Sequence, residues 1–128
     1  MDLKSVTVDE RPDVILDLDR LKNNCNGNID IVRELLTHLH TISGPKWITR
    51  LQEEIDAGNS EALREICHGM KGACATIFAW RISNLALEFE SLSRDGEVEQ
   101  LRDRMPDLQA VFEEFELWTK KYPELSNS

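Results

Sequence analysis

Apolar residues recur at three- and four-residue intervals along almost the whole chain, and no stretch alternates with period two, so the sequence predicts an all-α protein. The first element is a short helix over Asp17 to Asn24, with Asp17 as N-cap and Leu18 and Leu21 on one stripe. Asn28 caps a second helix after the loop Cys25-Asn26-Gly27, and Val32, Leu35, Leu36, Leu39 and Ile42 give it a face to bury. Ser43-Gly44-Pro45 then interrupts the pattern. Proline lacks the backbone donor and crowds the carbonyl four residues earlier, so a kink or short break is expected before Ile48, Leu51 and Ile55 resume the stripe.

Gly58-Asn59-Ser60 ends that helix and caps a third, running from about Glu61 to Phe78 with Leu63, Ile66, Cys67, Met70, Cys74 and Ile77 on one side. A fourth uses Ile82, Leu85, Phe89 and Leu92 and stops at Asp95-Gly96. A fifth uses Leu101, Met105, Leu108, Phe112, Phe115 and Trp118, with Pro106 placed to split it. Four long amphipathic helices with short connections bury their stripes as an antiparallel up-down-up-down four-helix bundle, the short additional N-terminal helix covering one end. Residues 1–12 read as a flexible N-terminal tail, 13–122 as the bundle and 123–128 as a flexible, polar C-terminal tail.

Composition narrows the functions such a bundle can have. With 128 residues the chain makes one domain, and 24 acids against 15 Lys and Arg give a net charge of -9, the wrong sign for binding nucleic acid through phosphates. No apolar run reaches the roughly 20 residues a bilayer requires, and the N-terminus lacks the apolar centre of a signal peptide, so a cytoplasmic location without membrane contact is expected. Cys25, Cys67 and Cys74 are an odd number without CxxC spacing and read as free thiols. His38 and His40 are two apart on a helix and diverge, and Glu65-Ile66-Cys67-His68 is a single Glu-x-x-His on an outward face, so no metal is expected. Trp47, Trp80 and Trp118 lie at or near apolar stripes and read as core or rim.

The chemistry concentrates on the third helix. At 100° per residue His68 lies roughly 150° from the centre of the apolar face and should meet water. Arg64, Lys71, Gly72, Ala75 and Ala79 are expected to share that outer face, leaving it nearly stripped of side chains beyond the histidine. Gly69 and Gly72 each cost about 1 kcal/mol relative to alanine inside a helix, and close approach of another backbone is a reason to tolerate them. A neutral imidazole offers its lone pair as a nucleophile near pH 7, and the Lys71 ammonium one turn along could neutralise an incoming phosphoryl group.

The segment HGMKGACATIFA, His68 to Ala79, resembles the signature of the histidine-containing phosphotransfer (HPt) family, H-x-x-K-G followed by small residues. The resemblance extends from about Leu16 to Tyr122 through the same order of one short helix and four bundle helices. It implies that His68 carries the phosphoryl group, accepting it from a receiver-domain aspartyl phosphate and passing it to another receiver aspartate. It implies further that Lys71 supplies charge neutralisation, that Gly72 leaves room for the receiver's loops, and that Mg²⁺ belongs to the receiver, with no cofactor in this chain. One departure stands out: Phe78 occupies a place, about ten residues after the histidine, where the family often has a glycine, and it is expected to pack in the core or its rim.

If the third and fourth helices turn near Ala79 and Trp80, His68 comes level with Glu90 to Leu92. Glu90 then becomes a candidate to hydrogen-bond one imidazole nitrogen, and Arg94 a candidate to join Lys71 in offsetting charge. The second helix is the expected neighbour of the histidine, with Ile31, Leu35 and Thr37 to Leu39 as the region where a receiver would dock. In-line transfer needs chiefly positioning and charge neutralisation, and no GxxxxGK[ST] loop is present, so a carrier and cosubstrate is expected rather than an autonomous kinase. Response-regulator receivers and a hybrid sensor kinase are the expected partners of a monomer. The rival reading is a helical adaptor that binds a receiver or sensor kinase without carrying phosphate. Met1 and the polar tail favour a complete short protein over a piece of a larger kinase.

Overall fold

The computed structural model describes residues 13–125, and the expected N-terminal tail therefore lies outside the described residues. The chain forms α1 (Leu18–Asn24), α2 (Ile29–His38), a π-helical turn (Leu39–Ser43), α3 (Gly44–Ala57), α4 (Ser60–Thr76), α5 (Trp80–Arg94), α6 (Val98–Thr119) and a 3₁₀ turn (Pro123–Leu125). There are no strands among the described residues. Because α2, the π turn and α3 follow one another without a gap, the architecture is four long helices with the short α1 added. In the bundle α3 packs on α4, α4 on α5, α5 on α6 and α6 back on α3, while α1 lies against α2.

Local chemistry accounts for the boundaries. Asp17 accepts from the Arg20 amide, Asn28 from those of Asp30 and Ile31, and Asn59 from that of Ala62, each satisfying donors that a helix start leaves unpaired. Gly58 closes α3 in the left-handed conformation at φ 68°. Ala79 gives α5 no side-chain cap. The entering chain covers part of that end, with the Arg81 amide donating to the Val14 carbonyl and the Arg81 guanidinium to the Asp13 carbonyl.

The core is contributed by every helix, with Val32, Leu36, Leu51, Leu63, Met70, Trp80, Phe89, Leu101, Leu108 and Phe115 all essentially inaccessible to solvent. Trp47 and Trp118 pack half-buried at its edge. Cys67 and Cys74 are buried on α4, and burial pushes both thiols up to about 12, so they serve as small apolar side chains.

The structure corrects four expectations. First, the break at Ser43-Gly44-Pro45 is a π turn in an unbroken helix: the Gly44 amide reaches back five residues to the Leu39 carbonyl, and the widened turn precedes the proline that lacks a donor. Second, that widening changes the phase of the apolar stripe, so Ile42 is 54% exposed, while Leu35, at the edge of the α2 stripe, is 38% exposed. Third, α6 runs continuously through Pro106, which is exposed. Fourth, ordered chain continues past residue 122: Leu125 inserts into the core, and the Arg33 guanidinium of α2 holds the Glu124 carbonyl at 2.8 and 3.2 Å. An apolar side chain two residues beyond the proline gives this segment burial that its polar composition concealed.

Candidate functional site

Asn59 starts α4 so that nine residues later the chain presents His68 on the outer side, opposite Cys67, Met70 and Cys74. The His68 side chain is 64% exposed. Around it Gly69, Gly72, Ala73 and Thr76 face solvent, and a Cβ built on either glycine would meet nothing within 4 Å. No neighbour within the protein therefore requires those glycines. Ala75 and Ala79, expected on this outer face, are instead buried, because α4 ends at Thr76 and its last turn closes onto α5. Ala73 and Thr76 take their place.

A stripe of small side chains brings α5 under the histidine. Ser83, Ala86, Glu90 and Ser93 are all buried at three- and four-residue spacing along its α4-facing side. Ser83 donates to the Lys71 carbonyl at 2.9 Å and ties the two helices beside His68, while Ser93 turns its hydroxyl to the Phe89 carbonyl of its own helix at 2.8 Å. Within this stripe Glu90 is the one long side chain. Its carboxylate is 4% exposed and bridges the site: Oε2 lies 2.8 Å from His68 Nδ1, and Oε1 accepts from Lys71 Nζ at 2.7 Å.

Burial alone would push the Glu90 carboxyl up, but the hydrogen bonds and charges of Lys71 and His68 outweigh it and hold the group below the ordinary carboxylate value. A buried carboxylate is stable only when paired in this way. As an ionised acceptor it takes a hydrogen bond from Nδ1–H, so the neutral ring carries its hydrogen on Nδ1 and its lone pair on Nε2. The arrangement thus presents one defined nucleophilic atom to solvent.

The other sequence candidates sit further out. Arg64 is half-buried on α4 and pairs with Glu61 at 2.6 Å, which raises its already high basicity, with Glu90 adding a small contribution. Arg94 is exposed near the end of α5 and makes no hydrogen bond or ion pair among the described residues, so it does not join Lys71 at the carboxylate. The half of the long second helix that packs on α4 is α3, whereas the exposed Ile31 and Leu35 belong to α2 and Leu39 is buried. No group of three His, Cys, Asp or Glu among the described residues could hold a metal ion. His38 pairs with Ser43 and His40 approaches Glu116 at 4.0 Å, in different directions.

With this geometry in place, comparison with known proteins gives one result that decides the family: residues 43–118 match the family model described as the Hpt domain. The chain belongs to the Hpt family. No curated protein and no solved structure matches it. The matched span covers α3 to α6 almost entire, hence most of the bundle core and His68, Lys71, Gly72 and Glu90 together. Membership of the Hpt family places the chain in two-component signalling as a histidine phosphotransfer domain, and no helix among the described residues is long and apolar enough to cross a membrane.

Two features of this Hpt domain escaped the sequence reading. Ser83 and Ser93 were not singled out, although their spacing with Ala86 marks the side of α5 that packs closest on α4. Phe78 packs at the core rim as expected, 9% exposed, and what went unforeseen is its left-handed backbone, φ 63°, which the family's common glycine would take without strain. Its ring meets Trp80 edge-on at 5.9 Å under the Arg20 guanidinium, and its carbonyl accepts from the Asp17 amide. Burial and the Asp17 bond hold a conformation that a bulky residue avoids elsewhere.

Proposed function

We propose that this Hpt domain accepts a phosphoryl group on His68 Nε2 from a receiver-domain aspartyl phosphate and passes it to the aspartate of another receiver. The observation that carries the reading is the exposed imidazole with Nδ1 held by Glu90, facing outward beside a strip without side chains. The Nε2 lone pair forms the bond to phosphorus as the bond from phosphorus to the receiver's carboxylate oxygen breaks, its electron pair leaving with that carboxylate. Lys71, one turn along and 21% exposed, offsets the added negative charge, and Gly72 lets the receiver's backbone approach. Mg²⁺ belongs to the receiver's acidic site. On this reading the protein is a cosubstrate rather than an enzyme, works in the cytoplasm as a monomer, and has receivers and a hybrid sensor kinase as partners.

The test is transfer from a panel of radiolabelled receiver aspartyl phosphates to the wild type and to His68→Gln. Acid-labile, alkali-stable label on the wild type and none on the variant is expected. Binding of the cognate receiver with no label on either protein would overturn the carrier reading in favour of an adaptor.

A further inference from the structure

We propose that Glu90 sets the lifetime of the phosphorylated carrier, by keeping a proton on Nδ1 of His68 after Nε2 has taken the phosphoryl group. The proposal rests on the reading of His68 as phosphoryl acceptor and extends it to the energetics of the product. A phosphorylated imidazole gives up its group readily when the other ring nitrogen is protonated, because the ring then leaves as neutral imidazole. Without that proton it would have to leave as an anion. In the transfer the N–P bond breaks, its electron pair returns to Nε2, and the phosphoryl group bonds to a receiver carboxylate oxygen or to water. The Nδ1 proton stays throughout, so the ring returns to its starting tautomer.

The geometry gives Glu90 this control. Its Oε2 is 2.8 Å from Nδ1, and its side chain is almost completely withdrawn from solvent, whereas the ring is mostly exposed. A carboxylate so placed favours the cationic ring at short range and little screened. The charged groups on the packed elements leave it that role. From α4, Lys71 shares the carboxylate at 2.7 Å, Arg64 is engaged by Glu61, and the Cys67 thiol is held neutral by burial. From α6, Arg104 goes to Glu88 rather than Glu90. Lys71 is thus the competitor for the carboxylate, and a phosphoryl group on Nε2 would draw its ammonium outward, leaving Glu90 more fully to the ring.

The experiment labels wild type, Glu90→Gln and Lys71→Met with phosphoramidate, removes the donor, and follows decay of phosphohistidine by phosphorus NMR from pH 6 to 9. Decay should slow as pH rises and the ring loses its proton. In Glu90→Gln that slowing should begin about one pH unit lower, so that phosphohistidine at pH 8 persists about tenfold longer than in the wild type. In Lys71→Met it should begin at higher pH, an opposite shift that a merely structural role would not produce. Superimposable profiles for wild type and Glu90→Gln, or equal shifts in both variants, would overturn the proposal while leaving the carrier reading intact. A wild type that never takes label overturns the carrier reading, and the proposal with it.

Discussion

Glycines in helix interiors occupy two contrasting places in this molecule. Gly44, in the first turn of α3, is buried, and a Cβ there would come within 2.9 Å of Phe112 Cε1 and 3.0 Å of the Leu39 carbonyl oxygen. Gly69 and Gly72, on α4, have open space where a Cβ would be. Each costs its helix about 1 kcal/mol relative to alanine, so each calls for a reason. For Gly44 the reason is inside the protein: the π turn brings its own carbonyl and a core ring against the position. For Gly69 and Gly72 it is outside, in a surface that must approach His68. Helical glycine with internal contact reports packing, and helical glycine without it reports a partner.

Phe78 sharpens the contrast most, because its backbone takes a glycine-like conformation while its side chain is needed by the rim. Phe78→Ala keeps the strain and loses the ring, and is expected to cost about 3 kcal/mol in denaturant unfolding. Phe78→Gly loses the same ring but relieves the strain, and should be about 1 kcal/mol less damaging than alanine. The order glycine above alanine, the reverse of a helix interior, is the result to check.

Next in size are the glycines themselves. Gly44→Ala should lose about 2 kcal/mol, since the Leu39 carbonyl is backbone and cannot swing aside. Gly69→Ala and Gly72→Ala should each gain about 1 kcal/mol, while Gly72→Ala slows labelling by receiver phosphate more than labelling by phosphoramidate. Equal loss with both donors would place the role of Gly72 inside the protein and break the comparison.

The smallest effect expected is a pH dependence. Glu90 is held below its ordinary value of 4.5, so its ionised form is favoured by the fold. Its contribution is present above pH 4.5 and lost as pH falls through the lowered folded value. Thermal melts should show wild type exceeding Glu90→Gln near pH 6 and the difference closing toward pH 3.

The helices and their order were legible in the sequence because amphipathic period and capping residues are local, as Asp17, Asn28 and Asn59 illustrate. His68 was legible for the same reason, since an outward histidine among small residues is a property of one helix. Glu90 followed from counting along a hairpin. The burial of Ala75 and Ala79 was not legible, because it depends on where α4 stops and how closely α5 approaches. Nor was the π turn, which trades one hydrogen-bond register for another over five residues and leaves composition unchanged. Leu125 was hidden by its polar neighbours, since a single apolar side chain makes no periodic pattern.

That last contact bears on the order in which the molecule assembles. Arg33 and the carbonyl it grips are 91 residues apart, so α2 is made long before the residue that clamps it. The α4–α5 hairpin closes through neighbours in sequence and can form while the chain is still being extended. The clamp on α2 instead requires a loop spanning most of the domain, with the corresponding entropy of closure. The pair that bears the nucleophile is thus topologically independent of the latch, and the exposed apolar edge of α2 gains this anchor only after the whole bundle, through Glu124, has been made.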